Sequence, residues 1–136
     1  MQRWIFVFVA GFLAVLCFHQ AALGLLSSAG IVPFSPYSLQ PTAPLGIPSV
    51  ISASFWGGLW ALVMVAVLDW IGHSLIWLKA ALFGGIALTL VALIVVFPLK
   101  GYGFDVAQLP GRFIIGFILN AFWGLGTIVF IRVLPH

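Results

Sequence analysis

Residues 112–132 read RFIIGFILNAFWGLGTIVFIR, nineteen uncharged residues between two arginines. At a helical rise of about 1.5 Å per residue this interior is about 28 Å long, close to the hydrocarbon thickness of a bilayer. Taking every fourth residue gives a seam of Arg112, Gly116, Asn120, Gly124, Ile128 and Arg132. Positions four apart share one helix face. That face carries two glycines and an amide at membrane depth, while the other faces carry Phe, Ile, Leu and Val. In lipid, small residues let a second backbone come close, and a buried amide needs a partner. The spacing predicts a transmembrane helix that packs against protein along this seam.

The rest of the chain has the same character. Of its 136 residues, 64% are hydrophobic and 5% are charged, against about 25% charged in an average soluble domain. A soluble fold of this length cannot hide so much apolar surface, so the surrounding solvent is lipid. The net charge of +3 comes from single basic residues near helix ends. No basic patch suggests nucleic acid. One cysteine, Cys17, leaves no internal disulfide and no CxxC pair, which excludes a DsbB-like thiol relay.

Three further apolar runs precede the quoted one. The first, about 4–26, is too long for the hydrophobic region of a signal peptide. Leu16 stands before Cys17 where a lipoprotein needs a small residue. The second run, about 50–71, carries its own seam of Gly57, Ala61, Val65 and Asp69. The third, about 75–97, places Ala81, Gly85 and Thr89 four apart and stops at Pro98. Between the first two lies an uncharged loop, 27–49, with five prolines that bar helix. Its aromatic and aliphatic residues suit the bilayer surface or a cover over the bundle. The expected fold is all-α: one transmembrane domain, 1–136, in the form of a four-helix bundle with a proline-rich outer loop.

Four spans put both termini on one side. With the N-terminus in the cytoplasm, Arg3, Lys79 and Arg132 are inside and Lys100 and Arg112 outside, the orientation the positive-inside rule favours. A dual topology stays open. Phe55-Trp56-Gly57 recurs as Phe122-Trp123-Gly124, which raises an internal duplication, although little else aligns.

Depth arithmetic gathers the polar residues. Measured from the outer helix ends, His19, Trp56, Thr89 and Asn120 each lie about 9–12 Å deep. Polar groups at such depth usually face the bundle interior. The expected ligand-binding cluster is His19, Gln20, Thr89 and Asn120, walled by Trp56 or Trp123 and lying beneath the proline-rich loop, with Lys100 and Arg112 at its mouth. The competing reading is structural: such amides often bond across helices and do nothing else. The expected helix-packing positions are Gly57, Ala61, Gly85, Gly116 and Gly124. His19 and His73 fall at opposite ends, which leaves no bis-histidine haem site, and the scattered histidines and lone cysteine form no metal ligand set. No nucleophile, base and orienting group come together for catalysis. Asp69 is expected to pair with Lys79 across the short turn 72–74.

The absence of glutamate from the sequence separates it from small multidrug-resistance transporters, and no Thr-Phe-Ser-Thr signature links it to fluoride channels. The segments Phe18-His19-Gln20, Phe55-Trp56-Gly57-Gly58-Leu59-Trp60, Phe97-Pro98-Leu99-Lys100-Gly101 and Asn120-Ala121-Phe122-Trp123-Gly124-Leu125-Gly126-Thr127 span all four runs. In them the chain resembles a family of uncharacterised small four-helix bacterial inner-membrane proteins. That resemblance implies the architecture and a bacterial inner membrane, and no activity. Three functions follow as expectations. The leading one is a non-enzymatic accessory or interaction subunit, without cofactor, whose partners are membrane lipids and a protein partner or further copies of itself. The others are an oligomeric small-solute or ion transporter and a lipid- or quinone-binding protein.

Overall fold

The computed structural model describes residues 2–32, 35–42, 45–96 and 109–134. Lys100, Asp105 and Pro98 lie outside them. Among the described residues, four helices are long and apolar enough to cross a membrane. Helix α1 covers Gln2–Ser28, α2 Ser49–Ile71, α3 Ile76–Val95 and α4 Leu109–Val133. The fourth begins earlier than expected because Pro110 sits in its first turn, where the missing N–H costs nothing. Two short strands, β1 (Pro41–Thr42) and β2 (Ile47–Pro48), pair antiparallel before α2.

The helices pack in the spatial order α2, α1, α4, α3. First and last in sequence are central, and α2 and α3 touch little beyond their connecting turn. Along α1 and α2, Arg3 meets Asp69, Gly11 meets Ala61 and Val15 meets Gly57, so the two run antiparallel. The seam Gly57, Ala61, Val65, Asp69 is the face of α2 that meets α1. Along α3 and α4, Ala80 meets Gly124, Gly84 meets Asn120 and Thr89 meets Gly116, again antiparallel. The α4 seam is therefore filled by this chain's own third helix.

The expected α3 seam needs a correction of register. Ala80 and Gly84, not Ala81, lie against α4, and the next position is Thr89, five residues on. The cause is a π turn at Phe83–Leu88, which inserts one residue into the helical period. Gly85 still packs, under the ring of Phe117. A second π turn occupies Val15–His19 of α1 and a third Ala92–Val96.

Trp123 is the centre of the molecule, with 1% of its surface exposed. Its indole is seated among glycines from the other three helices. Nε1 donates to Gly11 O at 3.2 Å, and Cβ atoms placed at Gly57 and Gly84 would both sit 3.1 Å from the ring. A ring this large fits between helices only where side chains are missing. Trp56, its counterpart in the repeated triplet, is 55% exposed on the outer face of α2. The triplets occupy unlike positions, one central and one peripheral, so the recurrence marks no equivalent site.

Asp69 also differs from expectation. Both its oxygens accept from Arg3 Nη2, at 2.9 and 3.0 Å, and Oδ1 also accepts from His73 Nε2 at 2.9 Å. Its place on the α1-facing seam explains this. Lys79 instead binds the end of α2, donating to Gly72 O at 2.9 Å and Ser74 Oγ at 3.4 Å. A cation there complements carbonyls that lack helical partners. The turn reaches that geometry through left-handed backbone at Leu75 (φ 54°) and Gly72 (φ 93°). Arg132 lies over the Trp77 ring, 5.1 Å from its centroid, at the same end.

Candidate functional site

The expected polar layer resolves into two separate hydrogen-bonded groups, one between two helices and one between a helix and the connecting segment. One joins α3 to α4: Asn120 Nδ2 donates to Thr89 Oγ1 at 3.0 Å. Gly116 lies beside Thr89 one turn away, so the missing side chain on α4 makes room for the methyl and hydroxyl of Thr89 on α3. Thr89 is fully buried and Asn120 half-buried. An amide donating to a hydroxyl satisfies both groups away from water, and in membranes such a bond contributes about 0.6 kcal/mol.

The other group joins α1 to the segment that follows it. Gln20 is 6% exposed. Its Nε2 lies 3.2 Å from His19 Nδ1, and its Oε1 accepts the backbone N–H of Tyr37 at 2.7 Å. Tyr37 Oη donates to Leu16 O at 2.6 Å. That carbonyl belongs to the π turn, where the helical ladder is loosened and a carbonyl can take an outside donor. Pro36 rests against Gly24, where a Cβ would be 3.4 Å from its Cγ. On the far side the segment meets α2 through main chain: Ser49 N donates to Gln40 O and Val50 N to Ser38 O, both at 2.9 Å. Those two carbonyls serve N–H groups of the first turn of α2, which has no side-chain cap.

Between these contacts lies a groove of about 910 Å3. Gln20 and Leu23 of α1, Tyr37, Ser38 and Gln40 of the connecting segment, and Val50 of α2 are among its walls. Its described lining has amides, hydroxyls and apolar groups and no charged side chain. The volume is in the range of small-molecule sites.

Of the residues expected to form one cluster, His19 and Gln20 come together, and so do Thr89 and Asn120. Trp123 is buried between the helices. Trp56 is not a wall, because it faces outward on the flank of α2, edge-on to Phe55 at 5.8 Å. Arg112 is half-buried in the first turns of α4, and Lys100 lies outside the described residues. Sequence reasoning missed Tyr37, Gly11 and Gly84. The signal for Gly11 and Gly84 is their small size; Gly84 lies off the row of Ala81, Gly85 and Thr89, and the first run offers no such row. Tyr37 gave only a weak signal, a tyrosine in a proline-rich stretch.

Asp69 and His73 are an adjacent pair of potential metal ligands, and no group of three such residues occurs among the described residues. No buried side-chain nitrogen or oxygen among the described residues is left without a hydrogen bond. No family model, no curated protein and no solved structure matches this chain.

Proposed function

We propose that the chain is a non-enzymatic multi-pass protein of a bacterial inner membrane, acting as an accessory or interaction subunit of a membrane complex. The observation that carries this reading is the internal saturation of its polar groups. His19, Gln20, Thr89, Asn120 and the Trp123 indole all spend hydrogen bonds on this chain. What it offers to neighbours is surface. Phe55, Trp56 and Val63 on α2 and Trp77, Leu78, Ile86 and Leu90 on α3 are exposed. This moves the docking surface. The glycine seams that first suggested partners are filled from within, so the partner belongs on the outer faces of α2 and α3.

The orientation proposed is with both termini in the cytoplasm. Arg3, Lys79 and Arg132 share one end with Trp4, Trp70 and Trp77, a basic and aromatic rim of the kind found at the cytoplasmic interface. The proline-rich segment then lies on the opposite, outer side.

The test is native mass spectrometry of the protein gently extracted from its own membrane. A constant added polypeptide, lost when Phe55 and Trp56 are both changed to alanine, is the expected result. A monomer, or a homo-oligomer without another polypeptide, overturns the reading.

The groove favours a second reading, a protein that holds a neutral lipid or quinone-like molecule. An uncharged lining of amides, hydroxyls and apolar groups suits an uncharged amphiphile. The same spectra decide it: a small mass retained by the wild type and lost on Gln40→Leu supports this reading, and a bare protein refutes it.

A further inference from the structure

The segment 35–42 is held very differently at its two sides. Toward α2 it is continuous with the helix through β1 and β2, and main-chain bonds from Ser49 and Val50 tie it down. Toward α1, the described bonds all run through Tyr37: its N–H on Gln20 Oε1 and its hydroxyl on Leu16 O. Both partners are in unusual backbone. Tyr37 has φ 56°, left-handed, where a side chain crowds its own main chain. Leu16 sits in a π turn. Conformations of this kind persist only while surrounding bonds hold them, and they recur where a segment switches.

We propose that residues 35–42 form a lid hinged at the N-terminus of α2 and latched to α1 by Tyr37. Releasing the latch opens the groove and uncovers Gln20 and Leu23. The closed form is the one described here. Loss of the two bonds lets Tyr37 relax to extended backbone, so strain relief favours opening as bond formation favours closure. The groove needs no rearrangement of the helices to open. The proposal holds whether or not the chain is a subunit of a larger complex.

Hydrogen exchange of the full chain in lipid nanodiscs tests it, with wild type, Tyr37→Phe and Gln20→Leu compared. Tyr37→Phe removes only the hydroxyl bond, and a hydrogen bond of ordinary strength makes the Tyr37-position amide exchange about fivefold faster. Gln20→Leu removes the acceptor of that amide and speeds it further. The Val50 amide, on the hinge, keeps its wild-type rate. Thr42→Val, which deletes the Thr42–Ile47 bond within the loop and leaves the latch intact, changes neither. Maleimide labelling of a Leu23→Cys variant rises when Tyr37→Phe is added, with exposed Cys17 as internal reference. Unchanged exchange in both latch variants overturns the latch. Faster exchange without greater labelling at position 23 overturns the lid, since the segment would loosen without uncovering the groove.

Discussion

Gly124→Ala adds a single methyl group at the closest approach of two helices. Its Cβ would meet the carbonyl oxygen of Ala80 and lie 2.9 Å from the carbonyl carbon. Both atoms are helix backbone, so neither can swing aside, and α3 must move away from α4. Reaching ordinary contact takes a shift of about 1 Å, and a gap of 0.5–1 Å forfeits roughly a quarter to a half of the dispersion well for the atoms it separates. The Asn120–Thr89 bond, now 3.0 Å, then stretches beyond hydrogen-bonding range. Overpacking costs about 1–3 kcal/mol and the lost bond about 0.6, offset by about 1 from the better helix propensity of alanine. The net expectation is a loss of about 0.6–2.6 kcal/mol. Reversible unfolding by dodecyl sulfate in mixed bicelles, followed by tryptophan fluorescence, measures it. Gly111→Ala is the control, because a Cβ there meets nothing within 4 Å. A Gly124→Ala protein as stable as Gly111→Ala would refute the reasoning, and with it the identification of the α4 seam as an internal contact.

Other substitutions probe the remaining contacts. Trp123→Ala empties the centre and costs about 3–5 kcal/mol by the same assay, as large-to-small changes at buried aromatic positions do; Trp56→Ala, on the exposed flank, stays within about 0.5. Asn120→Leu, measured alongside Thr89→Ala and the double variant, gives a coupling of about 0.6 kcal/mol, and zero coupling would mean the pair does not bond in lipid. A double-mutant cycle over Arg3 and Asp69 gives a favourable coupling that shrinks with added salt, while a cycle over Lys79 and Asp69 gives none. Coupling only in the second cycle would restore the pairing across the turn.

The amount of the fold that could be read from the sequence depended on period and length. Four apolar runs of spanning length announce four helices, and the α2 seam from Gly57 to Asp69 reads correctly because that helix is regular from end to end. The α3 seam did not, since a π turn shifts the count by one and leaves no mark in composition. Helix order was not legible either. Nothing in hydropathy distinguishes a central helix from a flanking one, so Trp56 and Trp123, with identical neighbours in sequence, were treated alike. Asp69 was assigned to the nearer cation along the chain, whereas packing brought it to one 66 residues away. Pairs within the candidate site were foreseeable as polar groups at one depth. Their division into two groups depends on helix rotation, which packing alone decides.

The placement of α1 and α4 at the centre has a consequence for synthesis. Gly11 and Trp123 are 112 residues apart in the chain. At the usual pace of translation their joining waits roughly 6–22 s after the first partner is made. Throughout that interval the hairpin of α1 and α2 can close, yet the notch at Gly11 and Gly57 stands open to lipid or to whatever insertion machinery attends it. A ribosome that stops short of the fourth helix releases a product with two or three inserted spans and no middle.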